Sequence, residues 1–352
     1  MRRVLIVLLV LFLLCGTVFA SEEEVDLTEG LNDEAMELLP VDAAQSADLI
    51  SSIKEIFLGA IKKAFGSIRE GIKLCGVLLC ILTLCSVLDL ADIKRKDTVL
   101  NIVGALGISV AFLGTARSMI SLGVGIAEDM SDYGSILLPT LASAAAMSGG
   151  VSGAASLYAG TVIFTQILLQ LITKLLIPLI YFYLAIATAE AAMGNSMLSE
   201  LRDFIGWVIT KSLRFLIYIF LAFMTVTGVI SGTNDAAAVK ATKAAVSGMI
   251  PVVGSIVSDA SETLLSSAAL MKNSVGVFGM LAVLALCLVP IIKVGMQYLL
   301  LKVTSAVGGT IGLPSQVKLI KEYSKAMGYL LAMCASAAFL LLIGIVCLMR
   351  VA

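Results

Sequence analysis

Long apolar runs restrict how this chain can fold more than any other feature of its sequence. The clearest runs cover residues 74–90, 99–116, 160–193, 213–231, 275–313 and 327–349. A helix needs about 20 apolar residues to cross a bilayer. Inside lipid only helices and closed barrels satisfy every backbone hydrogen-bonding group. The sequence therefore predicts an all-α, polytopic helical membrane protein.

The composition agrees with this prediction. Of 352 residues, 59% are apolar and 14% are charged, and the mean hydropathy is +1.05. Soluble domains carry about 25% charged residues, so lipid is the solvent that such a chain requires. The net charge of −1 argues against nucleic-acid binding, which needs a concentrated basic surface.

The residue types needed for most enzyme chemistry are missing or misplaced. The sequence has no histidine, and its seven cysteines all lie in apolar runs, where they act as small packing residues. It has no phosphate-binding GxxxxGK[ST] motif, no dinucleotide-binding GxGxxG motif and no nucleophilic GxSxG motif. We expect no enzyme activity, no metal site and no cofactor.

The first 20 residues have the pattern of a secretory signal peptide: two arginines, an apolar run and a small-residue ending at Ala20. The alternative is an uncleaved first anchor. In both cases the chain from Ser21 onward begins outside the cytosol. Residues 21–48 contain ten acids and no base, which predicts a short, solvated, acidic extracytoplasmic segment.

Residues 49–73 repeat apolar side chains every three or four positions, with lysines and an arginine off the stripe. This pattern predicts an amphipathic helix that lies on a membrane surface or packs against a partner protein. Residues 74–119 then form a first membrane helix pair. Lys94, Arg95 and Lys96 between its spans favour a cytosolic connection.

The prolines reveal an internal repeat. Pro139 and Pro178 are 39 residues apart, Pro251 and Pro290 are also 39 apart, and the pairs are offset by 112 residues. This offset predicts a duplication, with membrane repeats at 120–231 and 232–349. Basic residues at equivalent positions favour cytosolic connections in both repeats and so an even number of passes in each: Arg202, Lys211 and Arg214, and Lys318, Lys321 and Lys325. The long runs at 160–193 and 275–313 can be counted in two ways, and an odd number of passes would invert one copy. The four prolines are candidate kinks, helix breaks or gating hinges.

Few ionisable residues lie in the second repeat before its long apolar run. Asp259 and Glu262 share one helix face, as do Lys240 and Lys243. Carboxylates are costly in lipid and usually face a bundle interior or a watery cavity. Two interpretations stay open: these four residues line a polar path or pair across helices, or they belong to an exposed amphipathic stretch.

The run from Asn234 to Met280 contains KATKAAVSGMIPVVGSIVSDASET and closely resembles the stage III sporulation protein AE family of endospore-forming bacteria. The resemblance extends over nearly the whole chain. It implies a multi-pass protein made in the mother cell and located in the membrane around the engulfed forespore.

The resemblance also implies partners: ring-forming proteins, a secretion-type ATPase and small membrane proteins of the same sporulation complex. The expected function is a membrane subunit of the mother cell-to-forespore channel or secretion (feeding) complex that supports late forespore gene expression. Its role is either a pore or permease core or a non-conducting scaffold. An independent secondary transporter is a third alternative, and homo-oligomers are compatible with each.

The polar-path interpretation makes a first prediction. Replacing Asp259 and Glu262 together with alanine should impair sporulation more than membrane insertion, because both carboxylates would be lost from a path that the helices still form. Sporulation efficiency and membrane content of the variant measure the two effects. Normal sporulation by the double variant would remove the polar path.

Overall fold

The computed structural model describes the backbone of residues 28, 31–39, 49–89, 96–147, 151–194, 196–249 and 254–350, and their side chains except at 49–51, 67, 96–98, 151–153, 196, 227–249, 254–272 and 350. The predicted signal peptide, most of the acidic segment and Pro251 lie outside the described residues.

All regular structure in the described residues is helical. The helices are α1 (Asp33–Met36), α2 (Leu49–Asp89), α3 (Lys96–Met147), α4 (Val151–Leu171), a π-helical segment (Ile172–Leu176), α5 (Ile177–Met193), α6 (Ser196–Met249), α7 (Gly254–Gly308) and α8 (Pro314–Arg350). Six stretches are long and apolar enough to cross a membrane: Ile68–Asp89, Val99–Met147, Ala154–Met193, Met197–Val226, Asn273–Gly308 and Pro314–Met349. The prediction of an all-α, polytopic protein is confirmed.

The bundle consists of six long helical rods: α2, α3, α4–α5 with the π-helical segment between them, α6, α7 and α8. Successive rods run in opposite directions. Gly71 lies beside Leu300, and Leu82 beside Gly308, so α2 and α7 run parallel. The same reasoning makes α3 parallel to α8, because Gly123 meets Leu330 and Gly134 meets Leu341. We call the end where α5 meets α6, and α7 meets α8, the turn end. Rods α2, α4–α5 and α7 run towards the turn end, and α3, α6 and α8 run away from it.

Helices α3 and α8 occupy the centre of the bundle. Each buries an apolar stripe at steps of three or four residues, as the helical repeat requires. On α3 the stripe includes Ile108, Phe112, Met130, Tyr133, Leu137 and Leu141, and on α8 it includes Leu319, Tyr323, Met327, Leu330, Leu341 and Ile345. The rings of Phe112 and Tyr323 stack with centroids 4.4 Å apart.

Polar side chains join the helices near the turn end. Ser315 donates to Asn101 Oδ1 at 2.6 Å, and Gln316 Nε2 donates to the carbonyl of Leu100 at 3.1 Å. These bonds fix the start of α8 against the start of α3. Hydrogen bonds between helices are a main source of specificity where water is absent.

Pro139, Pro178 and Pro290 do not end their helices. Pro139 lies inside α3 and Pro290 inside α7. Pro178 is the second residue of α5, directly after the π-helical segment. A proline cannot donate to the fourth residue before it and crowds that residue's carbonyl, and a π bulge accommodates such a defect without breaking the helix.

The predicted segment boundaries fall inside continuous helices. Residues 73 and 74 lie in α2, 119 and 120 in α3, and 231 and 232 in α6. Residues 49–73 therefore continue directly into the first span, and their Ile56, Ala60 and Ala64 are buried in the bundle core. The duplication itself stays a prediction.

Close helix contact at Gly160 makes a second prediction. A Cβ built there would collide with the ring of Phe223, whereas a Cβ on Gly125 meets nothing within 4 Å. Gly160→Ala should lower the thermal stability of the purified protein by about 1–3 kcal/mol, as overpacking does. The matched variant Gly125→Ala should be neutral or stabilising, because alanine favours helices by about 1 kcal/mol over glycine. Equal stability of the two variants would contradict this packing.

Candidate functional site

A group of charged side chains is buried between α5, α6 and α8 close to the turn end. Glu190 lies in the last turn of α5, Arg202 in the second turn of α6 and Glu322 in the third turn of α8. Their exposed fractions are 7%, 3% and 3%. Charged residues are seldom buried this completely unless they are paired, so we call these three residues the charge cluster.

The chain turns sharply beside the charge cluster. Helix α5 ends at Gly194, which has φ +67° and whose N–H donates to the carbonyl of Glu190. Glycine adopts this left-handed conformation without steric cost and commonly ends helices. The turn sets α6 antiparallel to α5 and brings Arg202, twelve residues along the chain, back to Glu190.

Arg202 is the centre of the cluster. Its Nη1 binds Glu190 Oε2, its Nη2 and Nε donate to Asp203 Oδ1 at 2.8 and 3.1 Å, and its Nε lies 3.5 Å from Glu322 Oε2. The guanidinium presents five donors in a planar fork, so one arginine can serve several carboxylates. Arg202 therefore compensates both buried glutamates.

Two lysines and a tyrosine complete the partners of the glutamates. Lys318 Nζ lies 2.7 Å from Glu190 Oε1, and Lys325 Nζ lies 2.9 Å from Glu322 Oε1. Tyr183 donates to Glu322 Oε2 at 2.5 Å. Both carboxylates are thus paired on each oxygen, as a buried charge requires.

A layer of hydroxyl groups lies next to the cluster, deeper in the bundle. Ser109, Thr188 and Tyr323 meet at oxygen–oxygen distances of 2.7 to 3.0 Å. They belong to α3, α5 and α8, so the contact links the central helices to α5. Tyr323 directly follows Glu322, and the charge cluster and the hydroxyl layer therefore share α8.

The charge cluster lines a cavity of about 240 Å³. Its wall includes Glu190, Arg202, Ser315, Lys318 and Glu322. The side chain of Lys318 is 53% exposed, so this wall reaches solvent at the turn end. The cavity offers both signs of charge and suits polar or ionic solutes.

A second cavity, of about 330 Å³, lies between α2, α3 and α7. Polar side chains on its wall are Glu70, Thr115, Ser118, Lys293 and Gln297. Gln297 is 5% exposed, and its Nε2 has no hydrogen-bond partner. The two cavities are lined by different helices.

The residues singled out from the sequence lie elsewhere. Asp259 and Glu262 are near the start of α7, and Lys240 and Lys243 are near the end of α6. Their side chains are outside the described part of the chain, so the polar-path and pairing interpretations stay predictions. Pro139, Pro178 and Pro290 are helical, as given above, and their role as hinges also stays a prediction.

Sequence reasoning did not find the charge cluster. A sequence feature that points to it is Glu190, because a short acidic side chain inside an apolar run must have a partner. From the sequence, Arg202 and Lys318 indicated only that the connections between spans are cytosolic. Nothing in the spacing pairs residues 190, 202 and 322, because their contacts depend on how three helices pack.

The cluster makes a third prediction. Arg202→Gln should destabilise the purified protein by about 3–5 kcal/mol, because removing one partner of a buried ion pair leaves uncompensated charges behind. Arg214→Gln is the matched control, since Arg214 is an exposed arginine on the same helix. Thermal unfolding in detergent measures both. An Arg202→Gln variant as stable as the control would show that the glutamates do not depend on this arginine.

Comparison with known proteins finds a relative of this chain. The chain is similar to stage III sporulation protein AE of Bacillus subtilis (strain 168), with 21% identity over 264 residues. The match covers 74% of this chain and 66% of the length of that protein. No solved structure matches the chain.

A family model gives the wider assignment. The model described as Stage III sporulation protein AE matches residues 41–352, which include every long helix of the bundle and the whole charge cluster. This match spans most of the chain and agrees with the resemblance carried by the Asn234–Met280 run. The chain belongs to the stage III sporulation protein AE family.

Proposed function

We propose that this chain is a membrane subunit of the mother cell-to-forespore channel or secretion complex, and that the charge cluster forms the polar entrance of its transport path. Family membership supports a role in sporulation, and the six apolar helices support a multi-pass membrane protein. The proposed location is the mother-cell membrane around the forespore, where an exported leader would direct the chain.

The observation that carries the proposal is the buried charge cluster beside the 240 Å³ cavity. Ionisable residues inside membrane spans usually mark the route of an ion or polar solute. Here Glu190 and Glu322 face a cavity that reaches solvent through Lys318. Such a cavity concentrates charged or polar solutes at the turn end.

A scaffold function is the second candidate, and the packing of the core favours it. Beyond the cluster, the centre of the bundle is filled by large buried side chains such as Phe112, Tyr133, Met327 and Leu330. The two cavities do not share a wall residue. A scaffold would hold the ring proteins, the ATPase and the small membrane proteins without conducting anything.

Glu190→Gln separates the two candidates and is the fourth prediction. Glutamine keeps the volume of the side chain but removes a charge-assisted bond, which contributes about 1.5–3 kcal/mol. If the cavity is an entrance, sporulation and solute flux in reconstituted vesicles should fall about tenfold or more. The exposed Glu200 on α6 provides the matched control, Glu200→Gln.

The expected results differ between the three candidate functions. A conducting subunit gives low flux in Glu190→Gln while the variant still co-purifies with the ring and ATPase proteins. A scaffold gives no flux in either the parent or the variant, with co-purification intact. An independent transporter gives flux but purifies without those partners. Normal sporulation in Glu190→Gln would refute the entrance.

A further inference from the structure

The outward face of α3 changes character at Arg117. Between the turn end and this residue its exposed large side chains are all apolar: Val99, Ile102, Val103, Leu106, Val110 and Leu113. Beyond Arg117 the same helix exposes Ser118, Ser121, Glu128, Asp132, Ser135, Pro139 and Ser143. Over residues 118–146 it exposes no large apolar side chain. One helix therefore presents a face suited to lipid and then a face suited to water.

Exposed basic residues occur at a similar level on the neighbouring rods. With a rise of 1.5 Å per residue, Arg117 lies about 31 Å from the start of α3, Lys174 about 30 Å from Gly194, and Lys73 about 24 Å from the end of α2. Lys211 and Arg214 lie about 22–27 Å from the start of α6. All five side chains are exposed. We call these five residues the basic ring.

The surface between the turn end and the basic ring is largely apolar on every long rod except α8. Among the described residues, the exposed charges on this part of these rods, Glu200, Asp203 and Lys302, lie within about 11 Å of the turn end. Exposed side chains there include Val77, Leu84 and Val87 on α2, Tyr181 and Phe182 on α5, Phe204 and Trp207 on α6, and Leu299, Val303 and Val307 on α7. Together with the α3 residues they form a belt about 25–30 Å high, which matches the hydrocarbon thickness of about 30 Å.

The cost of charge in lipid decides where the bilayer lies. A lysine, arginine or aspartate at the bilayer centre costs about 2.5–3.5 kcal/mol or more. A bilayer centred on the middle of the bundle would bury the basic ring in hydrocarbon. One placed over the distal half would bury Glu128 and Asp132. A bilayer on the turn-end half avoids both groups and places the basic side chains at headgroup level, where they reach phosphates. Most exposed charges on that half lie within about 11 Å of the turn end and can extend to the headgroups there: Glu200, Asp203, Lys302, Lys318 and Lys321. Lys325 lies deeper and pairs with Glu322 of the charge cluster.

We propose that hydrocarbon covers only the turn-end half of the bundle, up to the basic ring, and that the distal half stands outside the bilayer. The distal part of α3, from Arg117 to Met147, is about 45 Å long. The partner of the belt is the acyl layer, and the partner of the basic ring is the lipid phosphate. The distal face of α3 is then in water or against protein.

The contacts of α1 agree with an aqueous distal half. Just beyond the basic ring, Asn32 donates to Asp129 Oδ2 at 3.0 Å, and Lys63 pairs with Glu37 at 2.7 Å. The Glu37 side chain is 76% exposed, and its hydrogen bond with Lys63 lowers the pKa of its carboxyl below the ordinary value. Exposed pairs of this kind are typical of surfaces in water.

An apolar strip on the distal parts of α4 and α6 does not extend the belt. It consists of Ile163, Ile167, Phe215, Tyr218, Ile219 and Val226. Lys174 on one rod, with Lys211 and Arg214 on the other, separates this strip from the turn-end belt. A hydrocarbon layer that covered both apolar surfaces would have to bury these three basic residues, at a cost of about 2.5–3.5 kcal/mol or more for each.

Trp207 tests the proposal in the unmodified protein, because it is the only tryptophan of the chain. It is 57% exposed and lies about 16 Å from the start of α6, near the middle of the proposed hydrocarbon layer. In phosphatidylcholine–phosphatidylglycerol vesicles whose acyl chains are brominated near their midpoint, Trp207 should lose most of its fluorescence. In Trp207→Phe/Ser135→Trp the new tryptophan should keep its fluorescence. Quenching at residue 135, or the absence of quenching at residue 207, would overturn the proposal.

Cysteine labelling is the second measurement. With the seven natural cysteines replaced, Ser121→Cys, Ser135→Cys and Ser143→Cys should react with a membrane-impermeant maleimide applied to sealed vesicles from the distal side. Leu106→Cys and Val110→Cys, on the same face of the same helix, should react only after denaturation. Distal cysteines as unreactive as those at 106 and 110 would overturn the proposal.

Discussion

Hydrocarbon provides no hydrogen-bond partner for the backbone, and every other feature of this bundle follows from that constraint. Helix α7 continues through Pro290, and at Pro178 a π-helical segment absorbs the defect. Hydroxyl side chains obey the same constraint by donating to a carbonyl of their own helix. Among the described residues, nine of them bond to the residue four positions earlier: Ser109, Thr140, Thr161, Thr173, Thr188, Thr210, Thr225, Thr304 and Ser336.

The charged side chains of the bundle occur in two different arrangements. In the charge cluster, acids and bases are buried together, and each glutamate oxygen has a partner. In the basic ring, lysine and arginine side chains project outward at a similar level and interact with water or with lipid phosphate. A buried ion pair contributes little net stability but is costly to break. The charge cluster therefore restrains the register of α5, α6 and α8, and the ring restrains the depth of the bundle.

The sequence predicted the helices better than it predicted the site. Each of the six apolar runs corresponds to one spanning stretch, because a run of 20 apolar residues has almost no alternative to a transmembrane helix. The runs at 160–193 and 275–313 can be counted as one pass or two, and in both places the structure has a single long rod. The basic ring was partly visible, since Arg117 directly follows the apolar run at 99–116.

The charge cluster escaped prediction for a physical reason. Glu190 and Arg202 face each other only because Gly194 reverses the chain, and Glu322 joins them from a helix 120 residues further on. Periodicity reports which face of a helix is buried, but it does not report which helix lies against that face. The hydroxyl contact of Ser109, Thr188 and Tyr323 is hidden in the same way, because single polar residues occur throughout this chain.

The packing around α3 and α8 restricts how such a bundle could conduct. The turn-end cavity lies against α5, α6 and α8, and the second cavity lies against α2, α3 and α7. A path that joined them inside one chain would have to part the stacked rings of Phe112 and Tyr323 and open the hydroxyl contact at Ser109. Close-packed interiors resist such separation.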